Sequence, residues 1–166
     1  MTGLNPESDQ ILEIATLITD ADLNMIAEGP ELVIHQDESR FALMDKWNQE
    51  HHTKSGLWEK ALSSKVSITD AENLTLDFIK QHCKERESPL CGNSIWQDRR
   101  FVHRHMPRID VFLHYRMIDV STIKELAYRW YKDVELSKPK KESHRALDDI
   151  RESIAELRSY RHSVFK

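Results

Sequence analysis

Before His35 the chain carries three short apolar runs, each closed off by turn residues, and this spacing constrains the fold more than any other feature. Gln10 to Thr19 is rich in Ile and Leu, Asp20-Ala21-Asp22 reads as a turn, and Met25–Ala27 and Glu31–His35 are joined around Gly29-Pro30. Short runs with such tight connections predict an antiparallel meander. After His35 the pattern turns helical. Ser39 is a candidate cap for a helix through Trp47. Thr69 is a candidate cap for a longer helix through His82, with Leu74, Phe78 and Ile79 on one face. Leu90-Cys91 reads as a buried strand, and Asn93 caps a helix that ends near Pro107. Met117 to Val120 is a further strand, Ser121 caps a helix through about Tyr131, Lys138-Pro139-Lys140-Lys141 is a polar loop, and a last helix starts at Ala146. Early strands followed by alternating strands and helices predict an α/β fold, a mixed sheet with helices packed on it.

At 166 residues the chain is expected to form a single domain over 1–166. No apolar run reaches the length of a membrane span, and the N-terminus has no basic region followed by an apolar stretch, so a cytoplasmic protein is expected. Cys83 and Cys91 read as free thiols, and their spacing lacks the further ligands of a zinc knuckle. The net charge of -4 and pI near 6.1 argue against a protein that coats long nucleic acids, which needs many phosphate contacts. They leave room for a short nucleic-acid substrate held at one local site.

Two carboxylates stand out. In the helix after Asn93, Ile95, Asp98, Phe101 and Val102 share a face, so Asp98 lies within an apolar stripe. A buried carboxylate needs a cation or strong donors. A salt bridge with Arg99, Arg100 or a distant arginine would satisfy it, and so would a metal ion; the helix alone leaves both open. In the last helix Leu147, Ile150, Ile154 and Leu157 form the apolar stripe, Asp148 projects to the solvated side, and Asp149 lies nearer the edge. His144 and Asp149 converge only if His144 sits in the loop before the helix. Either Asp149 merely favours the helix N-terminus, or it works with His144. Two carboxylates with a nearby histidine suit phosphodiester hydrolysis. Mg²⁺ or Mn²⁺ takes oxygen ligands, two such ions activate a water and stabilise the leaving oxygen, and a histidine accepts a proton near neutral pH.

Several segments together resemble the oligoribonuclease family, DEDD exonucleases of the "h" type, over essentially the whole chain. Met1-Thr2-Gly3-Leu4 is similar to the end of the motif Asp-x-Glu-Met-Thr-Gly-Leu. Asn93-Ser94-Ile95-Trp96-Gln97-Asp98 is similar to the second exonuclease motif, and His144-x-Ala146-x-x-Asp149 to the third. More particular to the family are Ala42-Leu43-Met44-Asp45-Lys46-Trp47-Asn48, His114-Tyr115-Arg116, and Asp119-Val120-Ser121-Thr122 with Lys124-Glu125-Leu126. His-x-Ala-x-x-Asp alone is a weak signal; all of these in order are a strong one.

The resemblance implies an RNase H-like fold, a homodimer, and a site with two divalent ions, Mg²⁺ or Mn²⁺. It implies removal of nucleotides from the 3′ end of very short single-stranded RNA. Carried over residue by residue, Asp98 and Asp149 are metal ligands and His144 is the general base. Leu4 is a wedge between bases, Trp47 stacks on them, and His52 lies at the substrate's edge. Ser94, Arg116, Ser121 and Thr122 cap the 5′ phosphate, and Tyr115 reaches across from the partner protomer. Without the family, Trp47 and Tyr115 would read as core or interface aromatics and Ser121 as an N-cap.

The Asp and Glu of the first motif fall immediately before Met1, on what the family pattern makes the first strand of the sheet, so that strand is expected to be truncated here. A chain beginning at Met1 is expected to be inactive or nearly so. The alternatives are a non-catalytic dimeric nucleotide-binding form and an exonuclease of the same type acting on longer strands.

Overall fold

A computed structural model describes residues 1–131 and 145–165. The expected loop at Lys138–Lys141 and the candidate base His144 lie outside the described residues. The structure is a mixed α/β arrangement of short sheets flanked by helices.

The meander appears as two antiparallel pairs. Strand β1 (Glu13–Ile14) pairs with β4 (Leu32–Val33), and β2 (Leu17–Thr19) pairs with β3 (Met25–Glu28). Asp20 makes the turn after β2: its carboxylate accepts from the backbone N–H groups of Asp22 at 2.9 Å and Asn24 at 2.8 Å. Such a side chain closes a turn by standing in for backbone acceptors. Strand β5 (Pro89–Gly92) pairs in parallel with β6 (His114–Asp119). A parallel pair needs a crossover, here supplied by α4 (Ile95–His105) and α5 (Pro107–Phe112). Among the described residues no strand joins the antiparallel pairs to the parallel one.

The helix starts differ from the sequence expectations. In place of one helix from Ser39 to Trp47 there is a 3₁₀ segment, Glu38–Leu43, and then α1 (Lys46–Lys54). Asp45 caps α1, accepting from the Asn48 backbone at 2.8 Å and its side chain at 2.9 Å. Helix α2 (Leu57–Ser63) was not expected, and neither was α5. Helix α3 (Ile68–His82) is capped by Ser67, not Thr69, because Ser67 and Asp70 satisfy each other's backbone N–H groups. Its inward face carries Ala71, Thr75, Leu76 and Ile79, whereas Leu74 is exposed.

The main core packs Ile11 and Ile34 from the meander against Ile79, Phe101 and Met106. A smaller cluster joins Val120 and Ala127 of α6 (Val120–Trp130) to Tyr160 of α7 (Ala146–Ser163). The most buried face of α7 is polar: Ser153, Glu156 and Tyr160 are buried, while the expected stripe residues Ile154 and Leu157 are only partly covered. That face is held by hydrogen bonds as well as by packing, and it leads to the candidate site.

Candidate active site

Asp98 stands in the first turn of α4, half-buried. Its carboxyl is pushed up to about 6, first by burial and further by the charges of Asp119 and Asp149. Its own backbone N–H and the N-terminal ammonium of Met1 pull the other way. Asp98 makes no arginine ion pair among the described residues, so the salt-bridge reading fails. Arg99 is taken by Asp110, in a bridge shielded from solvent, and Arg100 donates to Gln97 at 2.9 Å. Carboxylates at the end of β6 and on α7 therefore act on Asp98 at a place where no arginine neutralises it.

Asp149 is set by the anchoring of the start of α7. Glu13 of β1, almost wholly buried, accepts from the Arg145 side chain and from the Ala146 backbone N–H at 2.9 Å. This pins the first turn of the helix to the sheet. One turn on, the Ser153 hydroxyl donates to the Asp149 carbonyl at 2.8 Å.

A hydrogen-bonded network links that helix to Ser94 and Ser121. The Asn93 amide nitrogen donates to Ser153 at 2.9 Å and to Glu156 at 3.0 Å, and its oxygen accepts from the Ser121 hydroxyl at 3.1 Å. Glu156, 6% exposed, also accepts from Tyr160 at 3.0 Å and lies 3.4 Å from the Lys124 ammonium. The Ser94 N–H donates to Ser121 Oγ and to Asp119, each at 3.0 Å. Ser94 is held in a left-handed conformation, φ 50 and ψ 35. Asp119, not Ser121, caps α6, because its carboxylate accepts from the Ser121 N–H at 2.9 Å. Thr122 is exposed in that first turn, and Arg116 is exposed with its guanidinium 5.3 Å from the Tyr115 ring. The structure thus brings Ser94 and Ser121 together.

The apolar candidates are solvent-facing. Leu4 is 74% exposed, Trp47 63% and Tyr115 73%, so none is a core residue of this chain. Trp47 lies parallel to His51 with ring centroids 4.6 Å apart, which covers one face of the indole. Leu4 rides on a loop closed by Thr2 and Asp9: the Thr2 N–H donates to the Gln10 carbonyl at 2.9 Å and the Asn5 N–H to Asp9 at 2.9 Å. Gly3 belongs there because a Cβ would meet the Asp9 carboxylate at 2.5 Å. Gln97 ties the loop to α4, its amide donating to the Leu4 carbonyl at 2.6 Å.

His52, expected at the substrate's edge, is buried in α1. It is 7% exposed, and its Nε2 donates to the Met1 carbonyl at 2.9 Å. Burial, then the N-terminal ammonium, lowers its imidazole to about 4. It is a neutral post for the N-terminal segment.

Among the described residues no group of three or more histidine, cysteine or acidic side chains is disposed to hold a metal. A cavity of about 500 Å³ is lined by His35, Arg40, Lys65 and Ser67 among others, and none of Asp98, Asp119 and Asp149 lines it. The sequence reading quoted Asn93, Gln97 and Asp119 without giving them a place in the site, and it did not single out Glu156. A signal existed for Glu156: Asp149, Ser153, Glu156 and Tyr160 recur at helical spacing, a polar stripe beside the apolar one.

No described helix is long and apolar enough to cross a membrane. Residues 1–157 match the exonuclease family profile. The chain is 55% identical to the oligoribonuclease of Pseudomonas aeruginosa (strain PAO1) over 166 residues, all of this chain and 92% of that protein. It is 56% identical to the oligoribonuclease of Vibrio cholerae (El Tor Inaba N16961) and 53% to that of Klebsiella pneumoniae, with the same coverage. The order of the motifs and this likeness along the full length agree: the chain belongs to the oligoribonuclease family of exonucleases.

Proposed function

We propose that the protein removes nucleotides from the 3′ end of very short single-stranded RNA, down to mononucleotides. The observation that carries the reading is the half-buried Asp98, charged against Asp119 and Asp149, beside the paired hydroxyls of Ser94 and Ser121. Burial and the nearby charges of Asp119 and Asp149 raise the proton affinity of Asp98, and a divalent cation such as Mg²⁺ or Mn²⁺, which takes oxygen ligands, would relieve that strain on its charged form. Asp98 and Asp149 would hold the metal, and two ions would supply an activated water and charge stabilisation at the leaving oxygen.

The family's remaining pair of carboxylates falls just ahead of Met1. The buried Met1 ammonium faces Asp98 and Glu13, so residues entering there would join the same cluster. His144 takes the proton of the attacking water. Ser94, Ser121, Thr122 and Arg116 receive the 5′ phosphate, which limits substrate length. Leu4 and Trp47 take the bases, since stacking on an aromatic face is indifferent to sequence. Exposed Tyr115 reaches the neighbouring copy in a homodimer. We place this as one domain acting in the cytoplasm.

The test is hydrolysis of an RNA dinucleotide with Mn²⁺, by the chain preceded by Asp-x-Glu and by its Asp98→Ala variant. Turnover lost in Asp98→Ala, with the melting temperature kept, is expected. Normal turnover in the variant removes Asp98 from the site. Nucleotide binding without hydrolysis in the unaltered form favours the non-catalytic alternative.

A further inference from the structure

Gln97 sits between Leu4 and Arg100, next to the candidate metal ligand Asp98, yet neither the cap nor the metal site uses its side chain. Its Nε2 donates to the Leu4 carbonyl at 2.6 Å, and its Oε1 accepts from Arg100 Nη1 at 2.9 Å. The orientation of the amide is dictated. An arginine offers only donors and a carbonyl only accepts, so the oxygen must face Arg100 and the nitrogen must face Leu4. Arg100 is itself steadied, its guanidinium carbon 5.8 Å from the centre of the Trp96 ring. The Leu4 side chain stands in solvent, and the bonds of its loop run among Thr2, Asn5, Asp9 and Gln10. These fix the shape of the loop. The Gln97 bond at Leu4 itself, with the Arg104–Glu7 ion pair at 3.4 Å further along the loop, sets its position against the helix that carries Asp98.

We propose that Gln97, oriented by Arg100, is a positioning residue that sets the Leu4 side chain at the height needed to wedge between adjacent bases. The proposal rests on the reading of Leu4 as a wedge. A wedge acts between neighbouring bases, so Gln97 governs affinity for a dinucleotide and leaves affinity for a mononucleotide alone. It therefore makes a dinucleotide hold better than the product left after cleavage.

The experiment measures equilibrium binding in EDTA, where nothing is hydrolysed, of a 5′-phosphorylated RNA dinucleotide and of adenosine 5′-monophosphate. The proteins are wild type, Leu4→Ala, Gln97→Glu, Arg100→Ala and the double variant Leu4→Ala/Gln97→Glu. Gln97→Glu keeps the shape but turns a carboxylate against the Leu4 carbonyl. It is expected to weaken dinucleotide binding about tenfold, the scale of a lost hydrogen bond, with the mononucleotide unchanged. Arg100→Ala should act in the same direction and less. The double variant should bind no worse than Leu4→Ala, because Gln97 acts through Leu4. Comparing the two ligands on one sample cancels any loss of folded protein. If Leu4→Ala weakens the dinucleotide and Gln97→Glu does not, the positioning role is overturned and the wedge stands. Equal losses on both ligands in Gln97→Glu also overturn it. If Leu4→Ala has no effect, or wild type binds both ligands alike, the wedge reading falls and the proposal falls with it.

Discussion

On the phosphate side of Asp98, Asn93, Ser94, Asp119, Ser121, Ser153 and Glu156 share hydrogen bonds between 2.9 and 3.1 Å that join α4, α6 and α7. On the side proposed for the bases, Leu4, Trp47 and Tyr115 stand in solvent, and the supports are scattered: the Gln97 bond, the Arg104–Glu7 ion pair, the His52 bond to Met1 and the stacked His51. The difference follows from what each side would meet. A phosphate has fixed oxygens, and donors held in place before it arrives bind it without first being ordered. A base offers a flat apolar face whatever its identity, so an exposed ring or wedge suffices. On the proposed function, one wall would recognise an end group and the other would accept any sequence.

The largest expected effect lies outside both walls and gives the baseline for them. In the chain preceded by Asp-x-Glu, His144→Ala should lower turnover by about two to four orders of magnitude on every substrate, the usual worth of a general base. If variant and wild type keep the same acidic limb in a pH–rate profile, His144 is not that base. Next, Trp47→Ala should weaken dinucleotide binding by about tenfold or more, alike for purine and pyrimidine dinucleotides and with or without a 5′ phosphate. A loss confined to one base would show that the open wall reads sequence. Smaller again, Arg116→Ala should reduce the preference for a 5′-phosphorylated dinucleotide over a longer RNA. Parallel losses on both would make Arg116 structural and remove the contrast between the walls.

The smallest effect is on stability and concerns the carboxylate between the walls. Asp98 has a folded-state value of about 6 against an ordinary 3.8. The folded state therefore favours its protonated form. That contribution is full below about 3.8 and is lost as the pH rises through 6. In metal-free protein the charged carboxylate is a burden at pH 7, and Asp98→Asn should raise the melting temperature there. The gain should vanish near pH 4. A gain that is the same at both pH values would trace to packing and not to charge.

Much of this was legible in the sequence because it rests on local chemistry. Asp98 among Ile95, Phe101 and Val102 announced itself, and the turn at Asp20 and the helices ending near Pro107 and starting at Ala146 followed from turn and periodicity signals. Helix starts were less legible. Ser67 outcompetes Thr69 because Asp70 lies three residues after it, and Asp45 outcompetes Ser39 because Asn48 bonds it twice. The Asn93–Ser121–Glu156 network was not legible, since its members are 28 and 63 residues apart and meet only once α7 has docked. The hydrogen bond of His52 was hidden for the same reason: its partner, Met1, is 51 residues away.

Ser94 holds a left-handed backbone that glycine adopts freely and that costs other residues about 1–3 kcal/mol. Laboratory evolution for heat resistance alone, run without metal or substrate, would reward Ser94→Gly as well as Asp98→Asn. Each would give a sturdier protein, one with a weakened grip on phosphate and one with a weakened grip on metal. A thermostabilising library for this chain should therefore keep both positions fixed, and a thermal screen that returns them marks where function opposes robustness.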